Sequence, residues 1–192
     1  KNELDLFINN SDAQNLFISG DKGLGKTFLL NCALNHKNFT GKKCLYIDIE
    51  NINDNVNVFN EIDSFSVICI DNIHCSSNDT EVELFNLINK AYACNIKLLI
   101  SSQVHISQLG LFPDLLSRIK QMSCFSIEQI SDDEVDDVID FMNTKLKLFF
   151  SKELIEDISK IVRRDISSIK DLFVELEQFL YSEKKRPSKR TI

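Results

Sequence analysis

Five short runs of nearly uninterrupted apolar residues alternate with segments of helical character, and this alternation constrains the fold more than any other feature of the chain. The runs are residues 15–18, 44–49, 67–70, 97–101 and 122–127. Continuous apolar runs of this length are typical of strands that are covered on both faces. We therefore expect an α/β fold, with a five-stranded parallel sheet sandwiched by helices.

Helices are predicted between these runs at about 26–35, 56–62 and 80–94, and for a turn or two after Pro113. In the segment 80–94, five residues recur at three- and four-residue spacings and predict the buried stripe of an amphipathic helix. That stripe consists of Val82, Phe85, Ile88, Asn89 and Tyr92.

The strand pattern stops at about residue 127, and the sequence then becomes purely helical in character. Ser131 and Glu134 have the spacing of a capping box, so a helix should begin there and run to about residue 148. Two more helices are predicted at 151–162 and 167–181. We therefore divide the chain into an α/β domain at 1–129, a small helical domain at 130–183 and a basic tail at 184–192.

Charge and composition exclude several classes of protein. The 192 residues carry 22 Lys and Arg against 29 Asp and Glu, a net charge of −7. A free-standing nucleic-acid binder usually has a basic face, so direct sequence-specific DNA binding is not expected. The chain has neither a long apolar span nor an apolar leader, which predicts a cytoplasmic protein without membrane contact. The cysteines and histidines lack the spacing of a zinc site or a disulfide framework.

Residues 20–27 match the pattern G-x4-G-K-[ST], between a predicted strand and a predicted helix. Glycine permits positive φ and close approach of the backbone to phosphate, and N–H groups at a helix start attract anions. An ordinary glycine-rich turn is the alternative, but three of the chain's five glycines lie here. The predicted nucleotide-binding residues are Gly20, Asp21, Lys22, Gly23, Leu24, Gly25, Lys26, Thr27 and Phe28.

Two roles within this pattern follow from side-chain chemistry. Lys26 is placed to reach the β- and γ-phosphates, and the Thr27 hydroxyl to ligate Mg²⁺.

Asp71 directly follows the apolar run 67–70, where a Walker B ligand of Mg²⁺ belongs. An aspartate that caps a turn would stand at the same position.

The residue after Asp71 bears on hydrolysis. Most hydrolysing proteins of this class place a second acid there to orient the attacking water, whereas this chain has Asn72. An amide cannot act as a general base. We therefore expect the chain to bind a nucleotide without hydrolysing it rapidly.

Four further segments carry a resemblance to a known family: VICIDNIH at 67–74, KLLISS at 97–102, LFPDLLSRI at 111–119 and ISDDE at 130–134. They resemble the ATPase core of the bacterial replication initiator DnaA. They are more similar still to its shorter relative Hda, which acts in the regulatory inactivation of DnaA. The resemblance spans roughly residues 15–181 and implies an AAA+ P-loop fold with strand order 5-1-4-3-2 and a three-helix lid. It also implies ADP or ATP, with Mg²⁺, as the ligand.

The resemblance assigns roles to residues outside the loop. Ser102 falls at the sensor 1 turn, although Gln103 departs from the Asp that usually follows. Arg118 matches the box VII arginine, a finger that acts on a neighbouring subunit's nucleotide; a guanidinium suits this role because it is always charged and grips two oxygens. Lys170 stands where the family has its sensor 2 arginine. A solvated arginine and a surface lysine are the alternatives at these two positions.

The function implied by the resemblance is that of a regulator, which presents Arg118 to ATP bound on DnaA. Its expected partners are DnaA and the DNA sliding clamp, and a homo-oligomer is left open. Nothing after residue 181 could form the DNA-binding domain of DnaA, which favours the shorter relative. No clamp-binding segment is visible before residue 15. A truncated initiator core, a helicase-loader ATPase and a nucleotide-stabilised interaction module are the alternatives.

Overall fold

A computed structural model describes residues 2–10, 14–52 and 62–183 of the chain. The predicted basic tail, and all but the last residue of the helix predicted at 56–62, lie outside these ranges. The described strands are β1 Leu16–Ser19, β2 Cys44–Asp48, β3 Val67–Asp71, β4 Lys97–Ser102 and β5 Ser123–Ser126. The described α-helices are α1 Asn2–Asn9, α2 Lys26–Leu34, α3 Asn78–Ala93, α4 Pro113–Lys120, α5 Asp132–Leu146, α6 Lys152–Ile161 and α7 Ile166–Glu183.

The five strands form one parallel sheet in the order β2-β3-β4-β1-β5. This is the predicted order 5-1-4-3-2 seen from the other edge, so the α/β fold class is confirmed. Because all strands run the same way, their carboxyl ends meet along one edge. The register places Asp48 beside Asp71 and Ser19 beside Ser102 along that edge.

Both faces of the sheet are covered, as the continuous apolar runs predict. Alternate residues of each central strand enter two separate clusters, because successive side chains of a strand point to opposite faces. Ile68 and Ile70 pack in one cluster with α3 and α4, while Val67 and Cys69 pack in the other with α1 and α2. All four are fully buried.

The buried face of α3 differs from the predicted stripe. Val82 is 54% exposed, and of the five predicted residues only Ile88 is in the buried core. The sheet is covered instead by Leu84, Leu87, Ile88 and Ala91. Glu81 is also buried on this face. Its carboxylate accepts a hydrogen bond from the Phe112 N–H group, at 2.8 Å, at the start of α4. The buried residues also have helical spacing, so periodicity allowed two stripes and tertiary packing selected the one that faces the sheet.

Helix α1 was not predicted. Phe7 is fully buried in the cluster on one face of the sheet. The Lys97 ammonium donates hydrogen bonds to the carbonyl groups of Phe7 and Asn10, where a helix end leaves carbonyl groups without helical partners. A lysine from a distant strand therefore caps this helix, and no local sequence pattern indicates such a contact.

The second compact unit comprises the described residues from Glu128 onward together with Gly23–Gly25. Its three helices enclose an apolar core in which the rings of Phe150 and Phe173 lie 5.7 Å apart. Glu134 accepts a hydrogen bond from the Ser131 N–H group, as the capping box predicts. Ser167 N–H donates to the Gly23 carbonyl at 3.1 Å.

Within the part of the chain that the structure describes, we find no helix that combines the length and the apolar character needed to cross a bilayer.

Candidate nucleotide site at the strand ends

The glycine loop, residues 20–27, connects β1 to α2. Gly23 and Gly25 have φ values of +89° and +90°, a conformation that L side chains rarely adopt. The loop is joined to the sheet by Gly20, whose N–H donates to the Ser102 carbonyl at 3.2 Å. Because α2 begins at Lys26, its free N–H groups lie at the end of the loop. Such an arrangement of amides suits a phosphate group.

Lys26 is the buried cation of the glycine loop, with only 6% of its surface exposed. Its ammonium donates to the carbonyl oxygens of Gly20 at 2.6 Å and of Asp21 at 2.7 Å. Burial lowers the pKa of Lys26, while the charges of Asp71 and Asp21 act in the opposite direction. A charge that makes hydrogen bonds only to neutral carbonyls remains available to an anionic ligand.

Asp71 is fully buried at the end of β3 and is surrounded by hydrogen-bond donors. Its Oδ2 atom accepts from the Thr27 hydroxyl at 2.6 Å and from the Tyr46 hydroxyl at 2.8 Å. Its Oδ1 atom accepts from the Ser101 hydroxyl and from the Asn72 N–H group, the latter at 3.1 Å. Four donors from separate parts of the chain therefore fix the orientation of this carboxylate. Burial first, and then the hydrogen bond to Asp71, raise the pKa of the Tyr46 hydroxyl.

Asn72 occupies the left-handed region, with φ of 57°, which asparagine tolerates better than most residues. Its side-chain amide donates to Asp48 Oδ1 at 2.9 Å. Asp48 also accepts from the Glu50 N–H group and the Asn51 side chain, so its position is fixed by three donors. The end of β2 therefore holds the Asn72 amide in one orientation.

The turn predicted as sensor 1 follows β4. Ser102 is buried, and its hydroxyl accepts from the Val104 N–H group at 2.9 Å. The hydroxyl that donates to Asp71 is that of Ser101, the residue before Ser102. Gln103 N–H donates to His74 Nδ1 at 3.3 Å. The pKa of His74 lies below its ordinary value of 6.5, first because of burial and then because of the Lys26 charge.

Thr27 and Asp71 fit a Mg²⁺ ion. Mg²⁺ prefers oxygen ligands and is often held by one or two protein groups together with substrate phosphates. A hydroxyl and a carboxylate 2.6 Å apart beside the glycine loop supply those groups. Among the described residues, no three His, Cys, Asp or Glu side chains form a metal cage.

Three other predicted residues, Phe28, Lys170 and Arg118, make none of the hydrogen bonds described above for Lys26 and Asp71. Phe28 is 63% exposed on α2, and Lys170 is exposed on α7 in the second unit. Arg118 is half-buried in the last turn of α4, whose buried side is formed by Leu115 and Ile119. None of the salt bridges among the described residues includes Arg118.

Three residues of the site were missed by sequence analysis. Tyr46, Asp48 and Ser101 all contact the Asp71–Asn72 pair, and we call these five residues the strand-end cluster. Asp48 and Ser101 are polar residues at or near the carboxyl ends of apolar runs, the edge where ligands bind in parallel sheets, whereas Tyr46 is a polar residue in the middle of β2. Polar residues at these positions could have been noticed in the sequence. The local pattern does not show which strands lie side by side, and this decides which of the polar residues are in contact.

Comparison with known proteins identifies relatives of this arrangement. The family model for the bacterial DnaA ATPase domain matches residues 8–125. Domain III of the Thermotoga maritima replication initiation protein DnaA has a TM-score of 0.86 at 19% identity, covering 99% of this chain and 86% of that chain. AMPPCP-bound DnaA from Aquifex aeolicus has a TM-score of 0.79 at 20% identity, covering 98% of this chain.

A motor protein has a similar structure. The Thermotoga maritima RuvB Holliday junction branch migration motor has a TM-score of 0.74 at 17% identity and covers 96% of this chain. The present chain spans 63% of the length of both this RuvB chain and the Aquifex DnaA chain. At these identities the similarity describes the fold alone.

Proposed function

Because the chain belongs to the bacterial DnaA ATPase-domain family, we propose that it is a cytoplasmic regulator that binds an adenine nucleotide and stimulates ATP hydrolysis on DnaA. This is the role of the regulatory inactivator Hda. In the proposal, ADP or ATP with Mg²⁺ occupies the glycine loop, and Arg118 acts on the nucleotide of a bound DnaA subunit. The sliding clamp is the second proposed partner.

The geometry of the glycine loop supports nucleotide binding. Lys26 is buried and makes hydrogen bonds only to loop carbonyls, so its charge can be offered to a phosphate. Thr27 and Asp71 supply the oxygen ligands that suit Mg²⁺. The related DnaA from Aquifex aeolicus was solved with AMPPCP, an adenine nucleotide analogue. These observations favour an adenine nucleotide as the ligand.

The observation that carries the regulatory part of the proposal is the fixed amide of Asn72. An amide cannot take a proton from an attacking water, and a hydrogen bond from its Nδ2 to Asp48 Oδ1, at 2.9 Å, fixes its orientation. The site thus lacks a base at the position where hydrolysing relatives have one. Nucleotide bound here would serve to hold a conformation rather than to be turned over rapidly.

Arg118 supports action on a partner. Its helix is fixed by the buried Leu115 and Ile119 and, at its start, by the hydrogen bond from Phe112 to Glu81. A guanidinium on a helix fixed in this way can donate hydrogen bonds to two phosphate oxygens of the nucleotide on a docked subunit. On the partner, water attacks the γ-phosphorus, the bond to the bridging oxygen breaks, and ADP and phosphate leave. The arginine would offset the negative charge that develops on these oxygens. In GTPases, an arginine in this role raises the rate of hydrolysis by about 10³- to 10⁵-fold.

The test uses ATP-loaded DnaA with sliding clamp, DNA and the protein, followed by phosphate release. We expect the parent to accelerate release and Arg118→Ala to abolish the acceleration while its own affinity for ADP is unchanged. Lys120→Ala, an exposed cation on the same helix, is the matched control and should stimulate like the parent. Equal stimulation by Arg118→Ala would refute the finger assignment.

The core of a replication initiator is the second candidate. It is favoured by the similarity to domain III of the Thermotoga DnaA, 86% of which is covered by this chain. A helicase-loader ATPase of the same fold predicts the same behaviour of the isolated protein. Steady ATP turnover in the absence of DnaA would support these candidates and contradict the role assigned to Asn72.

A further inference from the structure

Tyr46 lies in the middle of β2, one strand away from Asp71. Its hydroxyl donates to Asp71 Oδ2 at 2.8 Å, the same oxygen that accepts from the Thr27 hydroxyl at 2.6 Å. The ring is 36% exposed, so it is not a core residue of the sheet. A partly exposed phenol therefore contacts the carboxylate that faces the glycine loop.

The hydrogen bonds of Asp71 divide into two pairs. The pair on Oδ1 comes from Ser101 and the Asn72 backbone, both of which belong to the carboxyl ends of β3 and β4. The pair on Oδ2 comes from the glycine loop, through Thr27, and from β2, through Tyr46. Oδ2 is thus the oxygen on the side of the proposed ion. Among the described residues two hydroxyl groups donate to Oδ2, and one of them would itself become a ligand of that ion.

The geometry points to Tyr46 as a positioning residue for Mg²⁺, an inference that rests on the proposed nucleotide site. The phenol holds the Asp71 carboxylate with Oδ2 beside the Thr27 hydroxyl, so that both oxygens are arranged before the ion and nucleotide arrive. A hydroxyl group that donates one hydrogen bond keeps two acceptor lone pairs. Tyr46 can therefore orient Asp71 and still accept a hydrogen bond from a metal-bound water.

This role differs from simple packing, and one substitution separates the two. Tyr46→Phe keeps the ring and removes only the hydroxyl. If the ring matters only for packing, the variant should bind Mg²⁺ and nucleotide like the parent. If the hydroxyl positions Asp71, the effect should appear only when Mg²⁺ is present.

The experiment is calorimetric titration of ADP into the whole protein, first with EDTA and then over a series of Mg²⁺ concentrations. For Tyr46→Phe we expect an ADP affinity in EDTA within twofold of the parent. The Mg²⁺ concentration that gives half of the affinity gain should rise about three- to tenfold, the usual worth of one net hydrogen bond. Tyr92→Phe is the matched control because Tyr92 is 37% exposed, on α3, away from the strand-end cluster.

A double-mutant cycle tests the path of the effect. Because Asp71→Asn itself should lose the Mg²⁺-dependent gain, the cycle is measured in the free energy of unfolding: Tyr46→Phe should cost less in the Asp71→Asn background than in the parent, since the phenol acts through the carboxylate. An unchanged Mg²⁺ midpoint in the single variant would overturn the inference. So would an equal loss of ADP affinity with and without Mg²⁺, which would show that the hydroxyl acts on the nucleotide or the fold.

Failure of the proposed function has a different signature. If the parent binds no ADP, the nucleotide site is wrong and the role of Tyr46 falls with it. If the parent binds ADP with a Mg²⁺ dependence but does not stimulate DnaA, the regulatory proposal fails while the role of Tyr46 is still decided by its own titration.

Discussion

The glycine loop and the strand-end cluster are two halves of one proposed site, and they are built in opposite ways. The loop is a single stretch of eight residues, 20–27, whose conformation depends on its own glycines and on the start of α2. The cluster draws five side chains from three strands, with Tyr46 and Asp71 separated by 25 positions in the chain. One half depends mainly on local sequence and the other on strand order.

The difference also appears in the hydrogen bonds. Lys26 in the loop donates only to backbone carbonyls. Asp71 in the cluster accepts from three side-chain hydroxyl groups and one N–H group, and Asn72 is held by the side chain of Asp48. Substitutions in the loop should therefore act mainly on ligand affinity, and those in the cluster on stability and Mg²⁺ as well.

The largest effect is expected in the loop. Lys26→Ala should reduce ADP affinity by about 100-fold or more, because charged hydrogen bonds are worth about 1.5–3 kcal/mol each and 1.4 kcal/mol is tenfold. Its melting temperature should change little. Calorimetric titration measures the affinity, and Lys43→Ala, an exposed lysine outside the loop, is the control. A loss of less than threefold would contradict the assignment of the loop.

In the cluster, Asp71→Asn should affect both properties. The amide of the variant turns N–H groups toward donors that face a carboxylate oxygen in the parent, so hydrogen bonds are lost. An uncompensated buried polar group costs about 1–3 kcal/mol of folding stability. We expect that loss in the free energy of unfolding, together with the loss of the Mg²⁺-dependent gain in ADP affinity. Urea titration measures the first quantity, with the exposed Asp140→Asn as control. Unchanged stability would mean that the donors around Asp71 are not selective for a carboxylate.

The pair of Asp48 and Asn72 gives a sharper comparison within the cluster. Asn72→Asp alone would set two carboxylates against each other where the amide and Asp48 Oδ1 now lie 2.9 Å apart. We expect a loss of about 1–2 kcal/mol, within the range for coupled neighbours. Adding Asp48→Asn removes the second carboxylate and should restore part of the loss, but not all of it, because Asp48 Oδ1 also accepts from the Glu50 N–H group. Additive losses in the double variant would show that the two side chains do not interact.

The smallest effect concerns pH. The pKa of His74 in the folded protein is below its ordinary value of 6.5, so the unfolded chain takes up this proton first as the pH falls. The unfolded state then binds more protons, and stability decreases with falling pH below about 6.5. His74→Gln should remove this part of the acid sensitivity, measured as the difference in unfolding free energy between pH 7 and pH 5. His105→Gln, at an exposed position, should retain the acid sensitivity of the parent.

Sequence analysis predicted the sheet and the loop because both depend on local pattern. The apolar runs at 67–70 and 97–101 are buried on both faces, as their continuity indicates. Periodicity was less reliable for helices. Val82 was placed on the buried stripe of α3, yet it is 54% exposed. An apolar residue at helical spacing is buried only if a neighbouring element covers that face.

The sequence by itself determined the fold class, the strand order expected from the family resemblance, the phosphate-type loop and the identities of Asp71 and Asn72. Only the tertiary structure decided that Tyr46, Asp48 and Ser101 join them. The physical reason is that β3 lies between β2 and β4 in a parallel register, which brings the polar ends of separate strands together. Each of these side chains appears in the sequence as an isolated polar residue in an apolar run. Its hydrogen-bond partner is defined only when the sheet has formed.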